Sequence, residues 1–149
     1  MKITLIAVGT LKEAYLREGY LHFFNQISRR HEFHLTELPD EKTEQKNSVA
    51  QDRRILEKEG DQILKKIPPD AYVIALAIDG QQMDTPSFSK KMKWLQASGK
   101  SHIAFIIGGS LGLSPEVLSR ANWKLSFSPM TFPHQLMRII LMEQLNSIL

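Results

Sequence analysis

Three ionisable side chains, His134, Arg138 and Glu143, interrupt an otherwise apolar segment near the carboxyl end of the chain. An imidazole exchanges a proton near neutral pH. A guanidinium holds phosphate or carboxylate through paired hydrogen bonds, and the first turn of a helix favours anions through its unpaired N–H groups. The same residues also fit a plainer role, in which His134 and Glu143 cap and solubilise the helix.

Just upstream the sequence reads SFSPMTFP, residues 126 to 133. Pro129 and Pro133 make this segment a loop, and loops are mostly polar. It nevertheless carries Phe127, Met130 and Phe132, so something has to cover three large apolar side chains. A second unusual turn, IIGGSLGLSPE, covers residues 106 to 116. Paired glycines leave backbone N–H and C=O groups open to a ligand, or they simply make a tight turn. The order G-G-x-x-G is not the dinucleotide fingerprint, and no Gly-Lys-Ser/Thr follows to make a phosphate loop.

Other residues that could do chemistry have plainer readings. His31 and His34 lack the spacing of a helical zinc pair and fall beside a strand, so they read as surface histidines. Lys90, Lys91 and Lys93 read as a solvated helix face before an RNA contact, and Trp94 and Trp123 as packing residues before stacking platforms. Asp79 before Gly80 fits a turn. The chain has no cysteine, which excludes disulfides, thiolate nucleophiles and cysteine-bound metal.

Positioning these residues requires a scaffold, and the pattern supplies one. Short apolar runs at Ile3 to Val8, Tyr72 to Ile78 and Ile103 to Ile107 read as strands buried on both faces of a parallel sheet. Phe33 to Leu38 alternates like a further strand, and Lys124 to Ser128 is a brief one. Apolar residues at three- and four-residue spacing predict a helix over Leu11 to Arg30. A polar loop over Asp40 to Ser48 leads to a second helix ending near Ile67. Thr85-Pro86 reads as an N-cap and first-turn proline of a helix ending near Gly99, and Ser114-Pro115 opens a short helix to about Ala121. A last helix begins near His134. Its apolar surface exceeds what one sheet face can cover, which predicts a second buried contact through loops or another subunit. Strands alternating with helices indicate an α/β class with a largely parallel sheet in a single domain.

With 149 residues and a net charge of +3, the chain has a mild basic bias compatible with a polyanionic partner. Up to Ala75 there are 12 Lys and Arg against 12 Asp and Glu, and beyond it 7 against 4. The excess lies entirely in the second half. No apolar run is long enough to cross a membrane, so a soluble protein is expected, and the lack of cysteine fits a reducing, cytoplasmic setting.

Taken together, MKITLIAVG, the strand containing Leu76 with Asp79-Gly80 after it, FIIGGSLGL, and LSFSPMTFPHQLMRIILMEQL resemble the SPOUT-class methyltransferases that act on pseudouridine in bacterial large-subunit ribosomal RNA. The likeness runs in register from Met1 to about Leu145. It implies an α/β parallel sheet with helices on both faces in one domain, residues 1–149, whose part from about 72 onward is threaded as a trefoil knot. General topology rules would exclude a knot, so it enters on the resemblance alone. The resemblance further implies a homodimer, no metal, and S-adenosylmethionine held by Leu76, Gly108, Gly109 and the run Phe127, Ser128, Pro129, Met130, Thr131, Phe132. The substrate would be N3 of a pseudouridine in 23S ribosomal RNA on assembled ribosomes. That nitrogen carries a proton at neutral pH, so a base is required. His134 or Glu143 would accept the proton, and Arg138 would hold phosphate or offset developing charge.

The chain departs from the family pattern after Leu145. It reads NSIL where the family continues with a Tyr-Arg-Ala-like segment and a tail rich in His, Tyr and Lys. Two rival expectations therefore stand beside the enzyme: an RNA-binding module that has kept the fold without catalysis, and an α/β transferase acting on a free metabolite.

Overall fold

A computed structural model describes residues 1–41 and 48–149. Among these described residues five strands form one parallel sheet: β1 (Lys2–Val8), β2 (Glu32–Leu38), β3 (Tyr72–Gln82), β4 (His102–Ile107) and β5 (Trp123–Ser126). Their order across the sheet is β2-β1-β4-β3-β5. The helices between them are α1 (Ala14–Ser28), α2 (Val49–Lys66), α3 (Thr85–Ala97) and α4 (Pro115–Arg120), and α5 (His134–Ile148) closes the fold. Among the described residues no helix is long and apolar enough to cross a membrane. Of the expected loop over Asp40 to Ser48, residues 42–47 lie outside the described residues.

Alternation of side chains along each strand sends neighbours to opposite faces, and the sheet is covered on both. Ile3, Leu5, Phe105 and Ile107 pack with Tyr20 of α1, Phe88 and Met92 of α3, and Leu141 and Leu145 of α5. On the other face Ile6, Val8, Ala104 and Ile106 pack with Ile63 of α2 and Val117 of α4. This is why β1 and β4 read as nearly all-apolar runs. Where α2 crosses α4, Gly60 is required: a β-carbon there would overlap the Ser114 hydroxyl and sit 3.1 Å from its Cβ.

Local chemistry sets the helix starts. Ser48 and Gln51 form a reciprocal capping box at α2, and the Ser114 hydroxyl accepts from the Val117 N–H at α4. At α3 the cap is Asp84, one residue before the expected Thr85, because its carboxylate accepts from the Ser87 N–H at 2.9 Å. Thr85 is already helical, and its hydroxyl instead donates to Gln144 of α5 at 2.7 Å.

β3 outruns its expected end at Ile78. It pairs with β5 through Leu76, releases Ala77 to Gly80, and rejoins at Gln81, so that Leu125 faces both Leu76 and Gln81. Gly80 permits the close approach, since a β-carbon there would lie 2.8 Å from the Lys124 carbonyl oxygen. Ile78, expected in a buried strand, is half exposed on this bulge.

Candidate functional site

The released bulge opens a cleft of about 810 Å³ at the carboxyl ends of β3, β4 and β5, where open parallel sheets gather ligands. Three pieces of chain line it. Leu76 to Asp79 form one wall, the glycine turn from Ile107 to Leu113 the second, and Lys124 to Ser128 with Met130 to His134 the third. Met137 of α5 completes the floor. The glycine turn and the loop after β5 therefore meet in one cavity, and its volume lies in the usual range for small-molecule sites.

Backbone geometry shapes both pieces. A β-carbon on Gly108 would lie 2.7 Å from the Gly112 carbonyl carbon, so the turn closes only with glycine there. Gly112 has φ +83, a conformation that glycine adopts without strain. Its N–H donates to the Gly109 carbonyl at 3.1 Å. In the loop after β5, the Ser126 hydroxyl donates to the Ser128 carbonyl at 3.0 Å, and the Ser128 hydroxyl accepts from the Met130 N–H at 2.9 Å. These two serines fold the loop back over the cleft.

Of the expected cofactor residues, Leu76, Gly108, Gly109, Phe127, Ser128, Met130, Thr131 and Phe132 line the cleft, and Pro129 does not. The three large apolar side chains of the loop divide. Phe127 is half-buried, its ring against Phe88 with centroids 6.4 Å apart. Phe132 is half-buried as well, but Met130 is 71% exposed at the mouth.

The three ionisable residues of the last helix also separate. His134 lines the rim, with Nε2 3.9 Å from Asp40 Oδ2. Arg138 is 1% exposed and lines no part of the cleft. It donates to Glu37 Oε2 at 2.6 Å and to the Gly9 carbonyl at 3.1 Å, which clamps α5 to the ends of β1 and β2. A phosphate has no access to it in this arrangement. Glu143 is exposed on the outer side of α5 and accepts from the Gln144 side chain at 2.7 Å.

Two carboxylates that the motif reading passed over lie behind the glycine turn. A β-carbon on Gly109 would be 3.2 Å from Asp40 Oδ1 and 3.4 Å from Glu59 Oε1. Glu59, on α2, is 4% exposed, and its Oε2 accepts from the Glu41 N–H at 3.1 Å. Burial pushes its pKa up to about 7; the Glu41 hydrogen bond opposes the rise and the Asp40 charge adds to it. In sequence Glu59 is one acid in the charged run LEKEGD. Its only signal is the helix-interior Gly60 beside it, which marks a close approach.

A second hollow, about 660 Å³, lies at the opposite pole of the sheet and is lined by Lys2, Arg29, Arg30, Glu32, Asp70 and His102 among others. It is smaller and shallower, and lies away from the strand ends where the glycine turn and loop converge. His34 pairs with Glu32 at 3.0 Å on the surface, and among the described residues no group of three or more His, Asp or Glu is placed to hold a metal ion.

Comparison with known proteins agrees with this geometry. A family model described as "Predicted SPOUT methyltransferase" matches residues 1–147. The chain is 50% identical over 145 residues to a protein of Streptococcus thermophilus named "Ribosomal RNA large subunit methyltransferase H", covering 97% of this chain and 91% of that one. Proteins of the same name from Alkaliphilus oremlandii and Bifidobacterium adolescentis are 48% and 50% identical over the same shares. Among solved structures, one titled as a probable methylase family protein from Haemophilus influenzae superposes with a TM-score of 0.56 at 14% identity. That match spans 98% of this chain but 65% of the other, and it speaks for the fold alone.

Proposed function

The chain belongs to the SPOUT methyltransferase family, and from that premise we propose that it transfers a methyl group from S-adenosylmethionine to N3 of a pseudouridine in 23S ribosomal RNA. The observation that carries this reading is the convergence of the Gly108–Gly109 turn and the loop from Phe127 to Phe132 on one cleft, with His134 at its rim. The relatives' names favour catalysis over an RNA-binding module without activity. They likewise favour RNA over a free metabolite.

The cleft suits the donor. Leu76, Leu125, Phe127 and Phe132 offer apolar wall for an adenine ring and a methionine chain, and Gly108 and Gly109 expose backbone groups that can hydrogen-bond their polar edges. When bound, S-adenosylmethionine supplies an electrophilic methyl carbon on its sulfonium. The protein's task is to exclude water, to hold the accepting nitrogen in line about 3 Å from that carbon, and to take the proton that N3 must lose. His134 takes the proton, and Asp40, its carboxylate 3.9 Å away, stabilises the imidazolium that forms. Lys124, which lines the same cleft, offsets negative charge on the uracil ring. Arg138 serves by fixing α5, and with it His134.

The same reading includes the trefoil knot, a homodimer and a cytoplasmic setting. Support for the knot is membership of the family. The dimer is supported by exposed apolar side chains on the adjacent helices α1 and α5, namely Tyr15, Leu21 and Leu136.

The test is methyl incorporation. Purified protein with radiolabelled S-adenosylmethionine is expected to label large-subunit RNA in ribosomes from cells lacking this modification, at one nucleotide. Labelling of other nucleotides, or none at all while calorimetry shows the donor bound, would overturn the substrate assignment.

A further inference from the structure

The two tryptophans, expected alike to be packing residues, have different surroundings. Trp123 is 9% exposed, and its indole N–H donates to the Gln81 side chain at 3.0 Å. Trp94, on α3, is 59% exposed. Lys91 bridges them, with its ammonium 5.0 Å from the Trp94 ring centre and 5.2 Å from that of Trp123. The Lys91 cation occupies one face of Trp94, leaving the rest of the ring to solvent.

The charge around this ring is of one sign. Between Thr85 and Ala97 there is no Asp or Glu, while Lys90 and Lys93 stand exposed beside Trp94 and Lys100 follows in the next turn. Among the described ion pairs none involves these lysines. Four of the seven basic residues beyond Ala75 therefore gather on one helix and the turn after it. Lys91 also covers Trp123 at the start of β5; the next residue, Lys124, projects to the opposite side of that strand and lines the cleft wall.

An exposed aromatic plane flanked by unpaired cations is what a single-stranded nucleic acid requires: a base stacks on the ring and phosphates meet the ammonium groups. Sequence-specific RNA recognition commonly relies on such unstacked bases. A protein partner fits less well, because lysine is depleted from protein interfaces. Resting on the reading of the chain as a ribosomal RNA methyltransferase, we infer that the outer face of α3, with Trp94 as platform and Lys90, Lys91 and Lys93 around it, binds an unpaired base and its flanking phosphates.

Intrinsic tryptophan emission, titrated with a short single-stranded oligouridylate, tests this directly. Saturable quenching is expected in the wild type. Trp94→Ala should weaken binding about tenfold or more, whereas Trp94→Tyr, monitored by anisotropy of a labelled oligonucleotide, should retain most of the affinity. Replacing both Lys90 and Lys93 by Gln should lower the slope of log affinity against log salt by about 1.4. All three variants should bind S-adenosylmethionine as the wild type does, which also verifies their folding. An Ala variant that binds oligouridylate as tightly as the wild type would overturn the proposal. So would variants that lose ribosomes but keep oligouridylate, since the patch would then face ribosomal protein. Methyl incorporation by the wild type, measured in parallel, separates the two readings: its failure with quenching intact removes the enzymatic assignment, and unchanged binding by Trp94→Ala with labelling intact removes this surface alone.

Discussion

Gly108 and Gly112 close the turn at the head of the cleft with no room for a β-carbon between them. A methyl group on the Gly108 α-carbon would meet the Gly112 carbonyl oxygen and lie 2.7 Å from its carbon. The obstacle is backbone, which cannot rotate away, so the turn itself must shift. Gly108→Ala is therefore expected to cost about 1–3 kcal/mol of stability and to weaken S-adenosylmethionine binding at least tenfold. Urea unfolding and calorimetric titration check the two effects separately. An Ala variant with wild-type donor affinity would show that the turn does not touch the donor.

Glu59 gives the fold a pH dependence of known sign. Its pKa is raised from 4.5 to about 7, mainly by burial, so the folded chain holds the proton more tightly than the unfolded chain does. The stabilisation from this group is complete below about pH 4.5 and is lost as pH rises through about 7. Glu59→Gln keeps the shape and removes the titration. The wild type should lose stability relative to this variant across that window, as followed by melting temperature against pH. Parallel curves would mean that Glu59 ionises as it would in water.

Arg138 is expected to act on stability before chemistry. Removing it strands the Gly9 carbonyl and leaves Glu37 without its partner. Because Glu37 is partly open to solvent, the cost of Arg138→Ala should fall somewhat below that of a fully buried pair, at about 2–4 kcal/mol. Glu37→Gln keeps an acceptor and should cost much less. Denaturant midpoints of both variants check this. An Arg138→Ala protein of wild-type stability that fails only in turnover would restore the direct role in charge stabilisation.

The same residues show how far the sequence could be read. Buried strands such as β1 and β4 announce themselves, because both faces are covered and nearly every position is apolar. Ser48 and Ser114 mark their helices because a hydroxyl in that position satisfies N–H groups that nothing else reaches. Asp84 displaced Thr85 as a cap because the threonine hydroxyl found Gln144, a contact 59 residues away that no local pattern contains. The bulge in β3 was hidden for a similar reason: Asp79-Gly80 looks like a stop, and only pairing with β5 shows that the strand resumes. In the cleft, the glycine turn and the loop after β5 were legible from unusual composition. Asp40 and Glu59 are not: Glu59 becomes unusual only once packing buries it, and Asp40 only once the fold sets it beside Gly109 and His134. Arg138 reads in the sequence as an available cation, because the partners that bury it come from β2 and the turn after β1.

His134 carries the last prediction, because it is the one member of the ionisable trio at the rim of the cleft. If it accepts the N3 proton, replacing it removes a step that follows donor binding. His134→Ala should thus bind S-adenosylmethionine within about twofold of wild type while single-turnover methylation falls about 10²-fold or more. Asp40→Asn, which leaves the imidazole in place without its anionic neighbour 3.9 Å away, should lower the rate by a smaller factor, about tenfold. The two effects should not add in the double variant, because Asp40 acts only through His134. Rapid-quench measurements on all three proteins, with donor affinity measured alongside, decide the matter. A His134→Ala enzyme with wild-type single-turnover rate would exclude the imidazole as proton acceptor, and additive losses would separate Asp40 from it.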